Sequence, residues 1–276
     1  MKHYTYTRHG LWLLFIALPM LVFSTGELQP TGARSAAMGR CSVASTDVWS
    51  IMNNQAGLAK IDRFTAGIAY ESPFLLNELS AKSIGLAAPT KFGVLGLSYR
   101  HQGYALYNEQ KVGLAYAKSF GPHLRIGLQL DYLQTSLGDG YGNKGSVTFE
   151  LGLQSDISEK LTLGVYAFNP LRVKLADFDN EKIQAIYRFG LQWNVAENFF
   201  ALVDVEKNTG IRPVVARLGL EYQVKDKFYM RTGTSTGQEI FSLGVGFHHH
   251  VFQIDLGAAM HQTLGFSPQA SVQIGF

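Results

Sequence analysis

The chain has 276 residues, 24 basic and 21 acidic side chains, a formal net charge of +3 and a single cysteine. Setting aside the N-terminal Lys2 and Arg8 leaves 22 basic against 21 acidic residues, so no basic excess points to nucleic acid. One cysteine, Cys41, excludes an internal disulfide framework.

Residues 1–26 read as a secretion signal. Lys2 and Arg8 give a positive start, Leu11 to Phe23 (LWLLFIALPMLVF) an apolar run, and Ser24, Thr25 and Gly26 a small-residue end for cleavage near Gly26. The apolar run is shorter than the roughly 20 residues a membrane-crossing helix needs, and Pro19 interrupts it, which disfavours a permanent anchor. No later stretch approaches such a helix. The exported product is therefore either soluble or a closed barrel, the other fold that satisfies its backbone in lipid.

Residues 27–62 do not alternate. They are mostly small and polar (GARSAAMGRCSVASTDVWSIMNNQAGLAKI), too short for a domain, and need a home inside whatever the rest of the chain builds; a periplasmic tail is the alternative. Cys41 reads as a packed thiol, because Arg40 precedes it where a lipidated cysteine would follow a small residue.

Residues 63–276 repeat one unit: about ten residues of alternating character, then a turn. In Leu124–Tyr132, Leu124, Ile126, Leu128, Leu130 and Tyr132 oppose Arg125, Gly127, Gln129 and Asp131. Val147, Phe149, Leu151 and Leu153 oppose Thr148, Glu150 and Gly152, and the pattern returns at Tyr187–Trp193, Ala216–Tyr222 and Phe252–His261. A soluble sandwich also alternates, but with strands of about five or six residues. Ten tilted residues match the hydrocarbon thickness, and Tyr or Trp often ends the apolar face. The expectation is an all-β, antiparallel transmembrane barrel of about 14 strands, centred near residues 68, 84, 97, 113, 129, 150, 165, 190, 203, 218, 231, 244, 256 and 272.

Parity checks the count. With both ends in the periplasm every second connection should be short, as at Pro89–Phe92, Phe120–His123, Ser158–Lys160, Ala196–Asn198 and Lys225–Lys227. Gly138–Gly145 and Leu171–Glu181 are expected to be the longest of the other set. The chain ends in SVQIGF, with Ala270, Val272, Ile274 and Phe276 on one face and a terminal aromatic like that of outer-membrane barrels.

Gly32–Gly39 (GARSAAMG), Ala44–Asp47 and Asn54–Ala59 (NQAGLA) together resemble the opening of the FadL-like barrels. That superfamily includes the long-chain fatty-acid transporter and the PorV and PorQ proteins of the type IX secretion system. The resemblance implies a 14-stranded barrel whose N-terminal segment folds inward as a hatch, with Gly32, Ala33, Arg34, Met38, Gly39, Asn54, Ala56, Gly57 and Leu58 as its motif. Gln55 stands where the family has Pro, which leaves the turn at Asn54 less constrained.

The inward faces are expected to carry Arg100, Arg125, Arg188 and Arg217 with Asp131, Glu150, Glu221 and Asp255, either as a selectivity lining or as a salt-bridge network filling a narrow lumen. Tyr166 and Phe168 also fall on the inward phase, where an apolar pocket beside the hatch would favour transport. His248, His249 and His250 cannot easily face one metal, since neighbours on a strand point to opposite faces. Asp139, in the Gly138–Ser146 loop, is one carboxylate where calcium needs several oxygens. No G-x-S-x-G elbow, phosphate loop or zinc spacing occurs, and nothing in the spacing of Ser98, His101 and Asp131 demands a catalytic set.

The reading is a non-enzymatic outer-membrane barrel without cofactor or metal. Its partners are outer-membrane lipid and a hydrophobic or amphipathic small molecule, or else the proteins of a secretion system. A purely structural barrel is the third alternative.

Overall fold

The computed structural model describes residues 28–138, 142–173, 182–210, 213–237 and 239–276. The segment expected to be a secretion signal, Asp139 and most of Leu171–Glu181 lie outside the described residues.

Fourteen antiparallel strands close into a barrel. They are β1 (Thr65–Glu71), β2 (Ala81–Thr90), β3 (Gly93–Gly103), β4 (Tyr107–Phe120), β5 (Leu124–Leu137), β6 (Gly142–Ser158) and β7 (Leu161–Phe168). The second half comprises β8 (Ile186–Ala196), β9 (Phe199–Asn208), β10 (Val215–Lys225), β11 (Phe228–Ser235), β12 (Glu239–His249), β13 (Phe252–His261) and β14 (Gly265–Gly275). Every centre read from the alternation falls within its strand. Each strand pairs with its sequence neighbours, and β1 closes on β14 with Thr65 opposite Gly275 and Glu71 opposite Gln269.

The barrel is inside-out relative to a soluble protein. On β5, Leu128, Leu130 and Tyr132 are exposed on the outer wall while Arg125, Gln129 and Asp131 are buried in the lumen. Such a continuous apolar belt has no place in water, and a closed backbone ladder leaves no polar edge to solvate. Exposed aromatics flank the belt: Phe92, Phe120, Trp193, Phe228, Phe252 and Phe276 at the end carrying the chain terminus, and Tyr70, Tyr132 and Tyr187 at the other.

Connections at the terminus end are uniformly tight, as parity requires. At the other end two expectations change. Residues 142–146 are strand, not loop: β6 runs on to pair Gly142 with Leu137 and Gly145 with Gln134. Gly145 lies flat beneath the Tyr132 ring, where a Cβ would stand about 2.5 Å from the hydroxyl, so glycine here serves the strand. The connection between β1 and β2, residues 72–80, is instead a long one, built from the short 3-10 turns Pro73–Leu75 and Asn77–Leu79. Its Phe74 and Leu75 both have positive φ, at 56° and 59°, a strained backbone for two bulky residues.

Among the described residues no helix is long and apolar enough to cross a membrane, which says nothing of the strands of a barrel.

Candidate functional site

The N-terminal segment fills the lumen. From residue 31 to 58 nearly every side chain is buried, in two short helices, α1 (Ala33–Ala37) and α2 (Ser50–Asn53), and a 3-10 helix, Gln55–Lys60. So short a segment has no core of its own and takes its shape from the wall.

The motif residues have identifiable tasks. Gly32 turns the chain into α1 at φ 102°, and a Cβ there would stand 2.8 Å from the Trp49 ring. Gly39, at φ 65°, presses against the β11 backbone at Thr234 and donates its N–H to Ser242 Oγ at 2.8 Å. Ala33 donates its N–H to Ser271 Oγ at 3.1 Å. Met38 packs with Cys41 and Leu202. Asn54 Oδ1 accepts from the Ala56 N–H at the start of the 3-10 helix, while its Nδ2 donates to Val43 O at 2.7 Å and reaches Leu153 O and Val165 O on the wall. Ala56 and Leu58 are fully buried, and Gly57 lets the backbone of Ser45 approach.

Gln55 does not loosen this turn. Its Nε2 donates to Ile51 O at 3.0 Å and to Glu150 on β6, so the side chain at this position adds an anchor.

The wall is shaped to receive the segment. Gly67, Gly127, Gly164, Gly219 and Gly257 all face the lumen, and a methyl on any of them would come within 2.7 Å of a hatch atom. These glycines were visible as inward-phase residues near mid-strand, but only a bound hatch shows why they must be small.

All ten residues expected to line the lumen are buried and face inward. Glu221 receives a two-pronged contact from Arg34 of the hatch, at 2.8 and 2.9 Å, and also pairs with Arg231 at 2.6 Å. Arg231 continues to Asp255 at 2.7 Å, and Asp255 to His248 at 3.1 Å. Arg188 and Arg217 share Glu206, at 2.5 and 3.0 Å. Arg125 forks onto Asp156 at 2.6 and 2.8 Å. Asp131 and Glu150 meet around Lys111, with Asp131 at 3.6 Å. Charges taken out of water in this way persist only when paired and hydrogen-bonded.

Sequence reading missed six of the partners: Glu71, Lys111, Asp156, Asp204, Glu206 and Arg231. Each sits on the inward phase of its strand, so the alternation already contained them. Three act directly on the hatch: Asp156 pairs with Lys60 at 3.1 Å, and Asp204 and Glu71 hold it further in. Asp204 Oδ2 accepts the N–H groups of Ser42 and Val43, at 2.7 and 3.1 Å, and Glu71 pairs with Arg40 at 2.5 Å.

Tyr166 and Phe168 are buried. They pack with Val43 of the hatch and with Ile183 and Ile186, closing that side of the lumen. A cavity of about 170 Å³ lies between the hatch and the 72–80 connection, lined by Arg40, Arg100, Arg217 and Glu71 and by the apolar Phe74 and Leu79. Arg100 donates to Thr31 Oγ1 at 2.9 Å and to Gln102 Oε1 at 3.2 Å.

The remaining candidates are dispersed. His248 points into the lumen, His249 stacks outside on Phe247, and His250 occupies the turn with φ 50°. Ser98 and Asp131 are buried in the lumen whereas His101 lies on the outward phase of β3, so the three do not meet. Among the described residues no group of three or more His, Cys, Asp or Glu is placed to hold a metal ion.

No protein-family model matches the chain, and no curated protein matches it. Solved structures do. A TodX monoaromatic hydrocarbon channel, a deltaS2 mutant, superimposes with a TM-score of 0.71 at 12% identity, over 91% of this chain and 100% of that one. This chain has the fold of that channel. The Ralstonia pickettii toluene transporter TbuX gives 0.67 at 14% identity over 91% and 99% of the two chains. A Pseudomonas aeruginosa FadL homologue gives 0.65 at 12% over 89% and 98%. At such identities the likeness is one of fold.

Proposed function

We propose that the chain is an outer-membrane channel of the FadL-like family for a hydrophobic or amphipathic small molecule, exported with a signal cleaved near Gly26 and gated by the hatch of residues 27–62. The observation that carries this reading is the pairing of a lumen closed by the chain's own N-terminal segment with a mixed cationic and apolar cavity directly above it. A simple pore would have no use for a plug, and a purely structural barrel no use for a cavity of about 170 Å³ over it. The fold shared with channels described as passing monoaromatic hydrocarbons and toluene supports the same substrate class. In this reading the ten lumen residues hold the closed state, and passage requires the hatch to shift.

Uptake by whole cells with an intact lipopolysaccharide layer tests it, because that layer blocks apolar solutes that cross simple phospholipid vesicles unaided. Cells lacking their own hydrophobic channel and expressing this chain should take up labelled toluene or oleate several-fold faster than cells with an empty vector. Equal rates for both solutes would overturn the reading. A component that holds secreted proteins is the second reading, and the exposed Leu75 and Leu76 on the 72–80 connection favour it. Co-purification of a stoichiometric protein from the native membrane would move the assignment there.

A further inference from the structure

The lipid-facing wall of a barrel is ordinarily convex, yet this one has a concavity of about 580 Å³ across β14, β1, β2 and β3. Register explains its shape. Ala270, Tyr70, Lys82 and His101 stand side by side on four adjacent strands, and directly below them run Val272, Ile68, Ile84 and Tyr99. The upper rung is polar except for Ala270, whose methyl group leaves the space beside Tyr70 empty; the lower rung is an apolar floor.

Height matters as much as shape. His101 lies nine residues along β3 from the turn at Phe92, and at about 3.3 Å per residue with a tilt near 40° that places it roughly 20 Å or more up the wall. An apolar band about 25 Å tall therefore ends close to this rung. An ammonium and an imidazole at that level face neither the hydrocarbon nor the open solvent but the layer of lipid headgroups. Among the described residues no carboxylate pairs with Lys82, so its charge is offered outward.

We infer that this concavity binds one phosphorylated acyl lipid of the leaflet at the loop end, with an acyl chain on the Ile68–Ile84–Tyr99 floor and a headgroup phosphate against Lys82, His101 and the Tyr70 hydroxyl. The inference rests on the membrane-spanning reading of the barrel and is independent of what the lumen transports. A phosphate offers several acceptor oxygens, and the rung supplies one full charge and further donors at neighbouring positions.

The test uses the full chain purified in a neutral detergent and titrated with hexa-acylated diphosphoryl lipid A, or with the same lipid stripped of its phosphates, bound lipid being counted by native mass spectrometry. The wild type should retain one phosphorylated lipid and release the stripped one. Lys82→Gln with His101→Gln should weaken retention about tenfold, the scale of a lost charge-assisted contact. Ala270→Trp, which fills the hollow and leaves the charges in place, should also weaken it, while Lys118→Gln at the opposite rim should not. Equal retention of the stripped lipid, or undiminished binding by the double variant, would overturn the inference. Heat-modifiable gel mobility reports barrel formation separately, so a chain that fails to form a barrel refutes the membrane reading and is told apart from one that folds but binds no lipid.

Discussion

The hatch is held in two different ways on its two sides. Toward β9–β13 the contacts are charged and directional: Arg34 on Glu221, and the Ser42 and Val43 amides on Asp204. Toward β2–β4 they are mainly apolar: Val48, Trp49, Ile51, Met52 and Leu58 pack with Ala87, Val94, Ala115 and Ala117, and Arg100 adds one directional contact, to Thr31 Oγ1 at 2.9 Å. Methyl against methyl has no preferred angle, whereas a forked guanidinium–carboxylate contact does. A hatch that moves while keeping its charged clamp would therefore part from the wall along β2–β4.

The largest effect is expected on the charged side. Glu221→Ala leaves Arg34 with Asp47 alone and Arg231 with Asp255 alone in a buried network, and breaking buried pairs in this way costs about 3–5 kcal/mol. Denaturant unfolding in micelles would measure it, and bilayer conductance should rise as the hatch loosens. A loss below about 1 kcal/mol, as for a solvated surface pair, would mean that water reaches this clamp and that the two sides are less different than their contacts suggest.

On the apolar side Leu58→Ala should cost about 3 kcal/mol for the lost burial and the cavity left behind. Because only undirected contacts are lost, the expected signature is a destabilised hatch with the Arg34 clamp intact. Cysteines placed at Ala37 and Ser242, where the Ser242 hydroxyl donates to Ala37 O at 3.0 Å, should still cross-link in the Leu58→Ala background. Failure to cross-link there, with efficient cross-linking in the parent, would show that the hatch moves as one body.

A smaller loss, about 2 kcal/mol, is expected for Gly219→Ala, whose added methyl would meet Met38 O at 2.7 Å and Met38 Cβ at 2.6 Å. The barrel should still form, since the strand itself tolerates alanine. If unfolding is unchanged, the wall and hatch have more slack at α1 than these distances allow.

What could be read beforehand divides along physical lines. Period-two alternation is a property of a single strand, so it located all fourteen strands and put Arg125, Asp131 and Glu221 in the lumen without any knowledge of their neighbours. Pairing is a property of two strands. The same pattern could not say that Glu206 would be shared by Arg188 and Arg217, or that Tyr166 and Phe168 would be covered by Val43. Two stretches were not legible in this way. The stretch 142–146 was expected as loop but runs on as strand, with Gly145 flat against Tyr132, and residues 72–80, given no element beforehand, form a connection strained at Phe74 and Leu75. The tasks of Gly32 and Gly39 became readable only against Trp49 and Thr234.

Position 55 gives the finest test of how far the motif governs the hatch. Replacing Gln55 with proline is compatible with the backbone on its N-terminal side, because Asn54 is already extended at φ −166° and ψ 104°, the region a residue before proline prefers. The cost should come from the side chain alone: the donation to Ile51 O disappears, and Glu150 loses one donor while Lys111 stays beside it. Loss of the two contacts amounts to about 2 kcal/mol, partly offset by the stiffer unfolded chain that proline brings. Gln55→Pro should therefore lie about 1–2 kcal/mol below the parent in stability. A loss several times larger would mean that Glu150 depends on both donors, making Gln55 a member of the charged clamp and extending that clamp to the β6 side of the lumen.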